Sequence, residues 1–158
     1  MIKIKNYLLA FTAIAVMFTL ACGGGGDDGP GEPTAEEQRL LDLAGTTGVT
    51  WTAVSITQDG APANGFDNFS LTLRSSTSLT YTANNSTPLI AASGPWEFNN
   101  GNINQIIFNG DSDNVFNVSN LNTTATPATV TLTVNFTNPN GGTAAGASGT
   151  YVLNLQAQ

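Results

Sequence analysis

Val130-Thr-Leu-Thr-Val-Asn-Phe136 puts Val130, Leu132, Val134 and Phe136 on one side of the chain and Thr131, Thr133 and Asn135 on the other. A period of two belongs to an extended strand with one dry face and one wet face. The same phase recurs on both sides of this stretch. Phe69-Ser-Leu-Thr-Leu-Arg74 turns Phe69, Leu71 and Leu73 inward against Ser70, Thr72 and Arg74, and Tyr151-Val-Leu-Asn-Leu155 repeats the scheme near the C-terminus. Shorter runs place Leu79 with Tyr81, Trp96 with Phe98, Ile103 to Phe108, and Val115 to Leu121 in further strands. Val49 to Thr57 loses phase, with Trp51 and Ala53 facing one way and Val54 and Ile56 the other, as a β-bulge would produce.

Turn formers separate these runs: Asp59-Gly60, Asn64-Gly65, Asn84-Asn85, Asn99-Asn100-Gly101, Asn109-Gly110-Asp111 and Asn138-Pro-Asn-Gly-Gly142. About eight short strands joined mostly by tight turns make an antiparallel meander. Nothing helical lies between them, so parallel βαβ units are excluded. Open sheets often guard their edges with lysine, and no lysine follows Lys5. Closure removes the edges instead. The expected fold is all-β, a small antiparallel up-and-down barrel, with a two-sheet sandwich as the alternative.

Upstream of the strands the period is helical. Thr34 and Glu37 form a capping box, Glu36 and Glu37 suit the positive end of the helix dipole, and Gly45 stops the helix. Leu40, Leu43 and Ala44 share one face and Leu41 broadens it. Three turns with one apolar stripe need a partner, so this short capped helix is expected to pack on the barrel and close one end. Before it, Gly23 to Pro33 has glycines, prolines and acids with nothing to bury. Such a tether spans roughly 20 Å.

The first residues are of another kind. Lys3 and Lys5 precede an uncharged apolar run of 14 residues, Tyr7 to Leu20, in the order of a secretory signal. A membrane-spanning helix needs about 20 residues. Thr19-Leu20-Ala21-Cys22 holds the only cysteine of the chain. It resembles the lipobox of bacterial lipoproteins, with Thr19 where that pattern prefers leucine. The resemblance implies cleavage before Cys22 and acylation of its sulfur. The domains are then a lipoprotein signal peptide (1–21), a Gly/Asp/Pro-rich tether (22–33) and a helix-plus-barrel domain (34–158). Gly23 to Gly26 with Asp27 and Asp28 resemble the acidic surface-export signal of lipoproteins in the Bacteroidetes. That implies an outer-membrane location, with the cell surface preferred to a periplasm-facing position.

Charge removes one class of partner. Loss of residues 1–21 takes two of the four basic residues and no acid, so the formal charge falls from −7 to −9. Arg39 and Arg74 are the only cations left, too few to track the phosphates of a nucleic acid or to hold an anionic membrane. Membrane attachment therefore rests on the acyl chains of Cys22, since two or more chains anchor stably. The lone cysteine also excludes a disulfide framework.

A further resemblance rests on several motifs together. They are the acidic tether, the capped helix, Gly48-x-x-Trp51, the Gln58-Asp-Gly60 turn, Ser93-Gly-Pro-Trp-Glu-Phe98 and Gly149-Thr-Tyr-Val-Leu153. Together they are similar to the lipocalin-like lipoprotein domains of Bacteroidetes, over most of residues 34–158. The resemblance implies a ligand-binding barrel. True lipocalins differ in having Gly-x-Trp and a late arginine over that tryptophan, whereas no basic residue follows Arg74 here.

Catalytic chemistry is sparse. With no histidine and one cysteine, the Ser-His, Cys-His and zinc arrangements are absent. Asp59, Asp67 and Glu97 are the only acids near the first half of the barrel, and Glu97 faces water if Trp96 and Phe98 face inward. Asn109-Gly-Asp111-Ser-Asp113-Asn114 opens like a calcium loop but lacks glycine at its sixth place and glutamate at its twelfth, where Asn120 stands. It reads as a polar hairpin turn. Trp51, Tyr81, Trp96 and Tyr151 could stack on a sugar, but their phase assigns them to the core. No enzyme, metal or cofactor is expected.

Three functions stay open: an apolar or amphipathic small molecule held in the barrel, glycan or protein recognition through Asn/Thr-rich loops, and a passive envelope module. A barrel of about eight strands is just wide enough to be filled by side chains or to hold one small ligand. Loop recognition calls for exposed aromatics, and Phe66 is the one candidate.

Overall fold

A computed structural model describes residues 32–138 and 147–158 of the chain. Helix α1 (Ala35–Ala44) is followed by β1 (Val49–Gln58), β2 (Ala61–Pro62), β3 (Ser70–Arg74), β4 (Thr80–Asn84) and β5 (Ser93–Asn99). Then come β6 (Asn102–Phe108), β7 (Phe116–Asn122), β8 (Thr129–Phe136) and β9 (Gly149–Ala157). Apart from the two-residue β2, which extends one edge of β1, each strand pairs antiparallel with the next, and β9 returns to β1. The result is a closed eight-stranded antiparallel barrel preceded by one short helix. The sandwich alternative is excluded by the β1–β9 seam, which runs from Trp51↔Ala157 to Gln58↔Tyr151.

The alternating residues face as the sequence requires. In β8, Val130, Leu132, Val134 and Phe136 are buried, and β3 and β9 follow the same rule. The expected bulge lies on β1, where the register against β9 shifts between Ala53 and Ser55. It pushes Val54 outward to 63 % exposure and brings Ile56 back inward. A second irregularity interrupts β7 between Ser119 and Asn122. Tight turns sit at the expected pairs: Asp59 and Gly60, and Asn100 and Gly101, all have positive φ. That is the backbone of type I′ hairpins and the reason Asn, Asp and Gly stand there.

Helix α1 begins with the capping box: the Glu37 N–H donates to the Thr34 hydroxyl and the Thr34 N–H to the Glu37 carboxylate. Hydrogen bonding to the carboxylate, first from the Thr34 backbone N–H and then from the Thr34 side chain, holds the Glu37 carboxyl below its usual range. The helix reaches β3 and β6, three steps apart around the barrel, and so lies across one end. Leu43 and Ala44 are buried against the core and Leu40 is partly so. Leu41, expected to broaden that stripe, is 42 % exposed instead, because the helix meets the barrel through the Leu40–Leu43–Ala44 face alone. Arg39 donates to Asn104 at the start of β6, Ser75 to the Gly45 carbonyl, and the Trp51 indole to the Leu43 carbonyl at 2.8 Å. The helix end also receives the C-terminus, where the Gln158 N–H donates to Thr50.

Candidate functional site

The barrel interior is filled. Trp51, Trp96, Tyr81, Tyr151, Phe69 and Phe116 lead its largest buried side chains, and edge-to-face contacts hold Trp96, Tyr81, Tyr151 and Phe116 against neighbouring rings. One chain runs Tyr81–Phe108–Phe116, with centroids 4.7 and 5.1 Å apart, and another Phe66–Tyr151–Phe136, at 5.9 and 6.2 Å. Such pairs contribute beyond simple burial. Every buried side-chain nitrogen and oxygen among the described residues has a hydrogen-bond partner. The four aromatics considered as a sugar platform (Trp51, Tyr81, Trp96 and Tyr151) are thus core residues.

Among the described residues, two hollows lie at the end opposite the helix. The connections 59–69, 85–92 and 109–115 gather there, and apolar side chains from two of them fold over the barrel mouth. Phe66, the expected loop aromatic, is 6 % exposed, because its ring packs edge-on against Tyr151. Leu89 and Ile90 are buried in the same way. They are carried by a turn in which Ser86, itself buried, receives the Ile90 N–H on its carbonyl and donates its hydroxyl to the Ile90 carbonyl. The Asn85 amide ties this connection to the Asp67 carbonyl.

Between the 85–92 and 109–115 connections lies a cleft of about 210 Å³. Leu89, Ile90, Phe108, Phe116 and Phe136 give it an apolar lining, while Asn109, Asp111 and Asn114 stand in its polar part. Asn109 is fixed by donating its amide to the Tyr81 hydroxyl at 2.7 Å. That amide lies over Gly94, where a Cβ would collide with it. Burial pushes the Tyr81 phenol up, and the bond from Asn109 offsets part of the rise.

The 109–115 connection has the form of the polar turn expected of it. Asp111 accepts the N–H groups of Asp113 and Asn114 on Oδ1 and the Asn114 amide on Oδ2. Asn114, only 9 % exposed, passes the chain of bonds on by accepting the Thr137 N–H. Beside the cleft is a second, more open hollow of about 460 Å³, lined by Asp111, Asp113, Asn114 and Thr137.

The remaining candidates do not converge. Glu97 is exposed on the outer face of β5, Asp59 accepts the Thr150 N–H, and Asp67 lies in the connection before β3. Among the described residues no group of three or more His, Cys, Asp or Glu side chains is placed to hold a metal ion. No described helix is long and apolar enough to cross a membrane. Cys22, the expected lipid anchor, lies outside the described residues. The mouth residues Leu89 and Ile90 had no period in the sequence to reveal them; their one signal was an apolar pair inside a turn. No family model, curated protein or solved structure matches the chain.

Proposed function

We propose that the chain is an exported bacterial lipoprotein, held to the outer membrane by acyl chains on Cys22, whose barrel is a non-enzymatic binding domain. Its ligand is a small apolar or amphipathic molecule, taken at the end cleft rather than in the barrel interior. The observation that carries this reading is the cleft of about 210 Å³ walled by three phenylalanines and the Leu89–Ile90 turn. An apolar cavity of about 150 Å³ suffices to bind benzene, so the cleft suits one ring or a short alkyl segment. The lipocalin-like resemblance supports a binding barrel, and the lipobox-like Thr19-Leu-Ala-Cys22 supports the anchor. The acidic run after Cys22 favours the cell surface over the periplasmic side.

Two measurements test the two halves. Cys22→Ser should move the protein from the detergent phase to the soluble fraction; continued membrane association would mean that the apolar segment itself is the anchor. Apolar fluorescent probes titrated against residues 22–158 should bind saturably. Their failure to do so would leave loop-mediated recognition or a passive role as the reading to pursue.

A further inference from the structure

On the reading that the end cleft binds a ligand, we infer that this ligand carries a cationic head, an amine or quaternary ammonium, on its apolar body. The cleft and the open hollow beside it share Asp111 and Asn114. Together they form one amphipathic site. A ring or short chain goes between Leu89, Ile90 and the phenylalanines, and a head group emerges among Asp111, Asp113, Asn114 and Thr137. Both charged groups at that exit are carboxylates. Asp111 is held in place by three donors from its own turn, while the exposed Asp113 keeps its carboxylate free of those bonds.

Among the described residues no counter-charge is at hand to reverse this sign. Arg39 lies on α1 and bonds to Asn104, and Arg74 ends β3 and bonds to Thr82, so both cations among the described residues sit at the helix end. A fatty-acid carboxylate or a phosphate head would meet two like charges with nothing to neutralise them. An ammonium head would meet two carboxylates beside an apolar wall, where the effective dielectric is lower than in water. The net negative charge of the whole chain raises the local concentration of such cations further. The head is therefore selected by charge and the body by shape.

Three probes of one skeleton separate these terms: phenethylammonium, 2-phenylethanol and 3-phenylpropionate, titrated by NMR against residues 22–158 at neutral pH. The expected result is that phenethylammonium binds at least about ten-fold tighter than phenylpropionate, with phenylethanol between them. The preference should shrink several-fold at high salt, because partly exposed charges are screened. Amide shifts should centre on Leu89, Ile90 and Asp113. Asp113→Asn, at an exposed position whose side chain takes no part in the turn's hydrogen bonds, should bring phenethylammonium close to phenylethanol. Asp111 is left alone because it holds the turn together. Equal affinity for the three probes, or tightest binding of phenylpropionate, overturns the charge assignment while leaving a cleft that binds. Absence of any shift with all three at millimolar concentration overturns the cleft reading itself, and this inference with it.

Discussion

Replacing Trp51 by phenylalanine asks whether one indole N–H fastens the helix to the barrel. Trp51 is 1 % exposed and donates to the Leu43 carbonyl at 2.8 Å. Leu43 belongs to the last turn of α1, where carbonyls lack partners within the helix, and the nearby Gly45 N–H is already given to Leu41. Phenylalanine keeps a ring in place but removes the donor, leaving a buried carbonyl unpaired at about 1–3 kcal/mol. The smaller ring adds about 1 kcal/mol on the scale of deleted core atoms. The expected loss is about 2–4 kcal/mol, or roughly a 10–15 °C fall in Tm for a domain of this size. Trp96→Phe is the matched control. It shrinks the ring equally, but the Trp96 indole bonds the Arg74 carbonyl at a partly buried place, where water can take over. Urea unfolding of residues 22–158, followed by far-UV circular dichroism, measures both variants. Equal losses would refute the reasoning, since ring shrinkage alone would then account for each.

Complete removal of the second indole is a test of the strand faces: Trp96→Ala should cost about 3–5 kcal/mol, and a harmless replacement would mean that the faces of β5 are reversed. Tyr81 supplies a pH signature. Its phenol is raised in the folded state by burial, so its contribution is complete below the unfolded value of about 10 and is lost as pH rises through the higher folded value. Tyr81→Phe should lower stability by about 1 kcal/mol at neutral pH through loss of the Asn109 bond. It should also flatten the alkaline fall, read as urea midpoints at pH 8 and pH 11. An alkaline limb unchanged by the replacement would mean that Tyr81 does not cause it.

The strands were legible because their alternation is local. Val130 to Phe136 and Tyr151 to Leu155 each have one apolar face whatever the rest of the chain does, and closure was implied by the lack of edge-guarding lysines. The bulge at Val54 was legible too, as a break of phase between Ala53 and Ile56. The barrel mouth was not. Phe66, Leu89 and Ile90 lie in connections, where no period constrains the side chain, and each is buried only because a distant element stands opposite it. Phe66 needs Tyr151 for this, which is far along the chain. The same limit hid the cleft, which joins residues of the 85–92 and 109–115 connections with Phe136 of β8. Leu41 shows the converse: a helix of ten residues can turn only a narrow face toward its support, and composition alone does not say where that face stops.

The β1–β9 seam has a consequence for how the protein is made. The first strand of the barrel finds its second neighbour in the last strand, and Gln158 itself still bonds to Thr50. Closure of the barrel therefore depends on β9, through contacts that span nearly the whole described domain. A nascent chain short of β9 has two open strand edges and an uncovered aromatic core. Open edges and exposed apolar surface of that kind are the features that make a partly folded chain prone to aggregate. Pairing of β9 with β1 removes both open edges in a single step, so closure completes the sheet all at once rather than strand by strand.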